Sequence, residues 1–168
     1  IVAAVAKAFG MRVLCWGREG STARARAAGY EVPPTREEFF ETADVISLHM
    51  PLRPDSRGIV TAADLARMKP TALFVNVSRG ALVGDEVLAA ALRKGRPGRA
   101  AVDVFEEEPI YGANNPLLEL DNCLCTPHIG FVEQDTYERY LGGAFDRLVA
   151  FAAGKPIDIV NAGPLGSG

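Results

Sequence analysis

The stretch TALFVNVSRGALVGDEVLAAAL, residues 71–92, decides the fold of this chain. Its first seven residues are almost wholly apolar and include two valines, which is typical of a strand buried on both faces. A turn follows at Ser78, Arg79 and Gly80, and an amphipathic helix is predicted from Asp85 until Gly95 ends it. A strand that leads into a helix predicts a parallel sheet, with Arg79 just past the carboxyl end of a strand.

The same alternation of strands and helices runs through the rest of the chain. Further strands are predicted in MRVLCW (11–16), DVISLHM (44–50), RAAVDVF (99–105) and NCLCT (122–126). Helices are predicted in residues 1–9, 22–28, 35–43, 61–68 and 133–154, with Thr35 and Thr61 as N-caps. The pattern predicts a three-layer α/β domain with a doubly wound (Rossmann-type) parallel sheet that lacks its first strand. We assign residues 1–161 to this domain and residues 162–168 to a flexible tail or linker.

Composition and charge exclude several classes of protein. The 168 residues are 48% hydrophobic, and 18 Lys and Arg against 21 Asp and Glu give a net charge of -3. No basic run marks a nucleic-acid partner, and the apolar amino-terminal stretch is too short for a signal or membrane segment. Cys15, Cys123 and Cys125 lie in apolar runs, which predicts that they pack as free thiols. Free thiols fit a reducing, cytoplasmic compartment best. The Cys123-x-Cys125 spacing is wrong for a zinc pair, so no metal site is expected.

Polar side chains follow four of the predicted strands. His49 comes before Pro51, Arg79 follows Ser78, Asp103 precedes the run Glu106–Glu108, and His128 follows a proline. Because the carboxyl ends of parallel strands meet at one edge, these groups are expected at a common rim, where ligands bind.

Each of these residues also has an ordinary structural explanation. Arg79 fits a helix cap or a surface ion pair, Glu106–Glu108 fit a solvated acidic loop, and His128 fits a loop histidine. For His49, a structural role or a position at the edge of a cofactor is favoured over a role in the chemistry. Their convergence on one edge favours function.

The chemistry that suits these groups is reduction of a carbonyl next to a carboxylate. The planar guanidinium of Arg79 can hold a carboxylate with two hydrogen bonds. His128 can donate the proton that the new alkoxide needs, because an ordinary histidine pKa of about 6.5 lies near neutrality. A neighbouring glutamate favours the imidazolium and orients the ring.

Three motifs in order, LFVNVSRGALV, AAVDVFEEEP and CTPHIG, resemble the D-isomer-specific 2-hydroxyacid dehydrogenases. The separation of Arg79 and Glu108, 108 − 79 = 29 residues, resembles the spacing of that family, and the resemblance extends from Ile1 to about Asn161. It implies an NAD(P)-binding domain that carries the catalytic residues. Arg79 would bind the carboxylate of a small 2-oxo or 2-hydroxy acid, His128 would be the acid/base, and Glu108 its partner.

The resemblance also implies a set of cofactor-binding residues. Asp103 would lie near the nicotinamide carboxamide, and Pro51 would border the adenosine half. A small residue and an arginine at 17–18 suit a 2′-phosphate, so NADP is slightly favoured over NAD; the alternative is that Arg18 is solvated and Glu19 serves the ribose. The cofactor-binding residues expected are Trp16, Gly17, Arg18, His49, Met50, Pro51, Val77, Ser78, Arg79, Asp103, His128 and Gly130.

The glycine-rich phosphate loop and the substrate domain of the family are absent from these 168 residues. A helix N-terminus and its amides bind pyrophosphate in such folds, so this chain alone is expected to be weakly active or inactive. A homodimer is expected from the family. The alternative function is a dinucleotide-sensing, corepressor-like interaction protein on the same fold, which would bind a partner instead of turning over a substrate.

Overall fold

The computed structural model describes residues 1–112 and 114–160, and its centre is a four-stranded, all-parallel sheet. The strands are β1 (Val45–Leu48), β2 (Leu73–Asn76), β3 (Arg99–Val102) and β4 (Cys123–Cys125), in the spatial order β1-β2-β3-β4. Each strand pairs with the next one along the chain, and Leu48, Asn76, Val102 and Cys125 form one row across the sheet. The carboxyl ends therefore lie level at one edge, and the predicted parallel α/β fold is confirmed.

The described residues form six α-helices, two of which begin at a side-chain N-cap. They are α1 (Val2–Ala8), α2 (Glu19–Ala27), α3 (Arg36–Thr42), α4 (Ala62–Arg67), α5 (Asp85–Arg93) and α6 (Gln134–Ala152), with a 3₁₀ turn at Gly80–Leu82. The Thr35 side chain accepts a hydrogen bond from the Glu38 amide at 3.1 Å. Thr61 and Asp64 form a complete capping box, so both predicted N-caps are confirmed.

The hydrophobic core lies between one face of the sheet and the helices α3, α4 and α5. Helix α4 packs against both α3 and α5. Alternate strand residues such as Ile46, Phe74 and Ala100 are buried on that face. On the other face, Val45 and Leu124 are exposed. The chain divides into two compact units, Ile1–Pro127 and a second one that begins at His128 and contains α6.

The prediction of a strand at residues 11–16 is wrong. In the structure this segment makes a single parallel bridge between Leu14 and Glu31, closed by a 2.8 Å bond from the Cys15 amide to the Glu31 carbonyl. One bridge is too short to form a ladder. Helix α2 begins at Glu19, three residues earlier than predicted, because the extended backbone of Arg18 serves as its N-cap. The predicted tail, residues 162–168, lies outside the described residues.

Candidate functional site

The loop after β2 is fixed by the side chain of Asn76, the last residue of β2, and by that of Ser78. Asn76 is buried; its side-chain amide donates to the Arg79 carbonyl at 3.0 Å, and its side-chain oxygen accepts from the Ser78 amide at 3.1 Å. The Ser78 hydroxyl donates to the Leu48 carbonyl of β1 at 2.7 Å. The Arg79 side chain is exposed, and its guanidinium donates to the Ser78 carbonyl at 2.6 Å. The backbone of this loop is thus tied down while the guanidinium faces solvent.

The acidic run after β3 is an ordered loop. Glu108 accepts a hydrogen bond from the Phe105 amide at 2.7 Å, and Glu106 accepts one from the Asp85 amide at 2.9 Å. Both glutamates are exposed, yet each carboxylate bonds a backbone amide. The interpretation of this run as a merely solvated acidic loop therefore does not hold for Glu106 and Glu108.

The loop after β2 lies directly against the loop after β3. A Cβ atom at Gly80 would lie 2.1 Å from the Phe105 carbonyl carbon and 2.5 Å from the Glu106 nitrogen, so only glycine fits there. The buried carboxylate of Asp85 accepts from the Glu106 amide at 3.1 Å and from the Asn115 side chain at 2.7 Å. Burial raises the pKa of Asp85 despite these hydrogen bonds. Arg79 and Glu108 are therefore carried by two loops whose backbones are in contact.

A small cavity of about 60 Å³ opens beside the ends of β2, β3 and β4. Val77 and Leu124 contribute apolar surface, and Asp103 and Thr126 contribute polar groups. The Asp103 side chain is buried and accepts a hydrogen bond from the Thr126 hydroxyl. Two of the predicted cofactor residues, Val77 and Asp103, thus line one cavity.

The residues predicted beside the adenosine half lie on the loops after residue 15 and after β1. The exposed Arg18 guanidinium pairs with Asp55 at 2.6 Å, which links the start of α2 to the loop that follows Pro51. Gly17 is half-buried, and Pro51 is exposed. The Ser56 hydroxyl donates to the Pro51 carbonyl at 2.9 Å, so this loop is held from within.

Three other predicted cofactor residues make contacts with neighbouring side chains. Trp16 stacks on Phe39 with ring centroids 6.4 Å apart. The Nε2 atom of His49 lies 3.0 Å from the Ser47 hydroxyl, and Met50 packs against the core. These contacts agree with a structural contribution from each side chain, and their roles toward a cofactor stay predictions.

His128 begins the second unit and has an unusual backbone. Its φ is 53°, a left-handed conformation that a non-glycine residue rarely adopts. Its half-buried ring packs edge-to-face on Phe131 with centroids 5.2 Å apart, and Phe131 in turn stacks on Tyr137. Gly130 is exposed in the same segment. The approach of His128 to Arg79 and Glu108 stays a prediction.

A second, larger cavity lies elsewhere. It has a volume of about 580 Å³, is lined by α4 and α5 residues such as Ala62 and Val87, and contains none of the predicted site residues. No group of three or more His, Cys, Asp or Glu side chains that could hold a metal occurs in residues 1–112 and 114–160. Within the same ranges, no helix has the length and apolarity needed to cross a bilayer.

Sequence reasoning missed the side chains that hold the two loops together. A lone asparagine within the apolar run at 73–77 is the signal that could have indicated Asn76. A carboxylate at the first turn of α5 is common at any helix start, so it gives no hint that Asp85 bonds a loop 21 residues away. The residues missed in this way are Asn76, Gly80, Asp85, Asn115 and Thr126.

Comparison with known proteins identifies the family. Residues 1–130 match the model of the NAD binding domain of D-isomer specific 2-hydroxyacid dehydrogenases. The chain is 38% identical over 161 residues to a glyoxylate reductase of Aeropyrum pernix, covering 95% of this chain and 48% of that protein.

Solved structures share the fold. An oxidoreductase from Ralstonia solanacearum is 50% identical with a TM-score of 0.90, covering 96% of this chain and 47% of its own. An acyclic imino acid reductase in complex with NADPH and D-arginine is 27% identical with a TM-score of 0.71, covering 95% and 49%. The chain thus spans about half the length of the relatives it matches. On the match of residues 1–130, this chain belongs to the D-isomer specific 2-hydroxyacid dehydrogenase family, as a member of its NAD-binding domain.

Proposed function

We propose that the complete protein transfers a hydride between a nicotinamide dinucleotide and a small 2-oxo or 2-hydroxy acid. The observation that carries the proposal is the contact of Gly80 with the backbone of Phe105 and Glu106. It holds the loop of Arg79 against the loop of Glu108 at the edge of a parallel sheet where ligands bind. The similarity to a glyoxylate reductase supports a substrate of this size and chemistry.

Arg79 is proposed to bind the substrate carboxylate. Its guanidinium is exposed and bonds the neighbouring Ser78 carbonyl, a contact that a carboxylate can replace with two charge-assisted hydrogen bonds. Since Asn76 and Ser78 fix the loop, the arginine presents its fork from a rigid base. Binding of the carboxylate in this way would fix the position of the substrate's carbonyl carbon.

His128 is proposed to donate a proton to the carbonyl oxygen of the substrate, with Glu108 as its partner. As the partner, the Glu108 carboxylate is proposed to orient the imidazole ring for proton transfer. The left-handed backbone of His128 supports this role, because such conformations cost about 1–3 kcal/mol and cluster at active sites.

The residues at the strand ends fit a nicotinamide dinucleotide, which supplies the hydride when it is bound. Val77 and Leu124 offer an apolar surface to the flat ring, and the buried Asp103 carboxylate offers an acceptor to its carboxamide.

The exposed Arg18 at the start of α2 is proposed to face the adenosine ribose. A guanidinium suits a 2′-phosphate, which favours NADP, and the similar imino acid reductase was solved with NADPH. The pairing of Arg18 with Asp55 weakens this preference, because a phosphate must compete with that carboxylate. A homodimer and a cytoplasmic location complete the proposal.

The test uses the complete protein, with any sequence that flanks residues 1 and 168 retained. Glyoxylate, hydroxypyruvate and phenylpyruvate are supplied with NADH or NADPH, and oxidation of the coenzyme is followed by absorbance. His128→Asn is the decisive variant, because asparagine tolerates the left-handed backbone but cannot donate an acidic proton. We expect kcat to fall by about 10²–10⁴ with an unchanged melting temperature.

The other histidine of the chain provides the matched control. His49→Asn is expected to change the KM for the coenzyme more than kcat. Full turnover by His128→Asn would remove the histidine from the mechanism. Negligible turnover by the wild type, together with coenzyme-dependent association with another protein, would favour the corepressor-like function instead.

A further inference from the structure

We propose that Asp85 and Glu106 are positioning residues, which clasp the loop of Glu108 onto the loop of Arg79 and so set the distance between the two catalytic groups. The inference rests on the proposed function, because it concerns the same site. The family resemblance gives no catalytic or cofactor role to either residue, and neither is proposed to touch substrate or coenzyme.

The clasp is a reciprocal pair of hydrogen bonds. The Asp85 amide donates to the Glu106 carboxylate at 2.9 Å, and the Glu106 amide donates to the Asp85 carboxylate at 3.1 Å. Each residue thus uses both its backbone and its side chain on the other. Two bonds at one point fix the orientation of the Glu106 backbone as well as its distance.

Glu108 is placed by the same short segment. Its carboxylate accepts a hydrogen bond from the Phe105 amide at 2.7 Å, one residue before the clasp. The Phe105–Glu106 peptide is also the group that lies against Gly80. Any shift of this peptide therefore moves the Glu108 carboxylate relative to the loop of Arg79.

Asp85 is held in place from a third direction. The buried Asn115 donates its side-chain amide to the same Asp85 oxygen at 2.7 Å and accepts from the Leu117 amide at 3.0 Å. The Asp85 side chain is thereby pinned between the loop at 105–108 and the segment at 115–117. Nearly all its surface is buried, which leaves it little freedom to swing away.

A generic helix-start role does not explain this arrangement. The N-cap of α5 is Gly84, whose backbone has a φ of 87°, and the first-turn amide of Asp85 is bonded instead by the Glu106 carboxylate from another loop. An acid in the first turn usually stays in solvent and interacts with the helix dipole. Here the carboxylate is buried instead, and the burial raises the pKa of Asp85. The burial of this acid is explained by its contacts, which are with the loop of Glu108 and with Asn115.

The experiment compares four variants of the complete protein. Asp85→Ala and Glu106→Ala each break the clasp, and Glu106 is exposed, so its variant is the one that should fold even where Asp85→Ala does not. Asp85→Asn keeps an acceptor oxygen in place and serves as the conservative rescue. Glu107→Ala, on the neighbouring exposed glutamate, is the matched control.

We expect Asp85→Ala and Glu106→Ala to lower kcat by about 10–100-fold, because a displacement of about 1 Å can cost a factor of about 10² in rate. Asp85→Asn and Glu107→Ala should keep kcat within about threefold of the wild type, well below the loss expected for such a displacement. The pH profile of kcat/KM in the reductive direction is the second readout. Moving Glu108 from its place should shift this profile relative to the wild type, whereas a loss of stability alone leaves the profile unchanged.

The outcomes separate this proposal from the proposed function. A wild type without turnover on any 2-oxo acid defeats both. A wild type that turns over normally, with Glu106→Ala matching Glu107→Ala in kcat and pH profile, defeats the clasp alone. A lower melting temperature with an unchanged kcat and pH profile shows a purely structural role and also defeats it.

Discussion

Gly80→Ala offers a direct test of the contact between the loops of Arg79 and Glu108. Gly80 does not have a positive φ, so alanine is compatible with its backbone conformation. The difficulty is space, since the new Cβ atom would lie 2.1 Å from the Phe105 carbonyl carbon. Ordinary contact begins at 3.4 Å, so the two loops must separate by about 3.4 − 2.1 = 1.3 Å.

A separation of that size predicts a large loss of activity. A misplacement of about 1 Å at a reacting group costs a factor of about 10² in rate, so kcat/KM of the complete protein should fall by at least that factor. The variant should also be less stable, because forcing extra atoms into a packed site costs about 1–3 kcal/mol. Stability loss alone must therefore be distinguished from displacement of the site.

Gly98→Ala is the matched control for this test. A Cβ atom at Gly98 would lie 1.9 Å from the Pro70 carbonyl oxygen, a clash at least as severe. Gly98 precedes β3, however, and therefore lies at the amino edge of the sheet. A four-residue strand spans about 13 Å at about 3.3 Å per residue, which separates this clash from the carboxyl edge.

The assay measures kcat/KM and urea unfolding of both variants at a temperature where both are folded. We expect similar losses of stability and a much larger loss of activity in Gly80→Ala. Equal losses of activity in the two variants would refute the reasoning, because the position of the clash would then not matter.

Three further predictions follow from charges and burial. Burial raises the pKa of Cys123 to about 12, so at pH 8 only about 0.01% of the native thiol is thiolate. Alkylation of Cys123, mapped by mass spectrometry, should therefore be far slower under native conditions than in urea. Equal rates would contradict this. Burial pushes the pKa of Asp64 up, but hydrogen bonds from Arg36 and Thr61 outweigh it and lower the pKa. This pair therefore stabilises the fold above the ordinary aspartate pKa and loses that effect as the pH falls below it. Arg36→Ala should cost about 1.5–3 kcal/mol in urea unfolding at pH 7 and less at pH 3, and an equal cost at both would argue against the ion pair. Arg18→Ala should raise the KM for NADPH about tenfold and leave the KM for NADH nearly unchanged, because it removes a charge-assisted hydrogen bond of about 1.5 kcal/mol. An equal change in both KM values would argue against the proposed preference for NADP.

Much of the fold could be predicted because its signals are local. Thr35 and Thr61 each cap a helix by accepting a hydrogen bond from the backbone amide three residues further along the chain. Each apolar run of the sheet is bounded by turn residues. The prediction of a strand at 11–16 was wrong because a strand needs a partner over several residues, and this segment pairs only at Leu14 with Glu31. Apolar pattern alone does not reveal how many partners a segment finds.

The candidate site was only partly predictable, for the opposite reason. Arg79 could be proposed because it comes just after a strand, and the family resemblance indicated Glu108 within the acidic run that follows the next strand. The strand order brings their loops together. The contacts that hold those loops join residues far apart in the chain. The glycine at position 80 is required by a peptide at 105–106, and the acid at position 85 bonds the amide of residue 106. No local sequence pattern predicts contacts between residues so far apart in the chain.

The distribution of buried polar groups gives an independent reason to locate the site at the carboxyl edge. Burying a polar side chain costs free energy unless it is hydrogen-bonded, so its position needs an explanation. Among the described residues, seven polar or charged side chains are buried, and four of them end β2 or lie in the segments that follow β2 and β3. Three of these four bond loop backbone directly, and the fourth accepts a bond from the residue after β4. Exposed side chains such as Arg79 cannot hold a geometry by themselves, because their rotamers are free in water. The cost of burial at this edge is explained if the loops must be rigid where a ligand is bound. The four residues are Asn76, Asp85, Asp103 and Asn115.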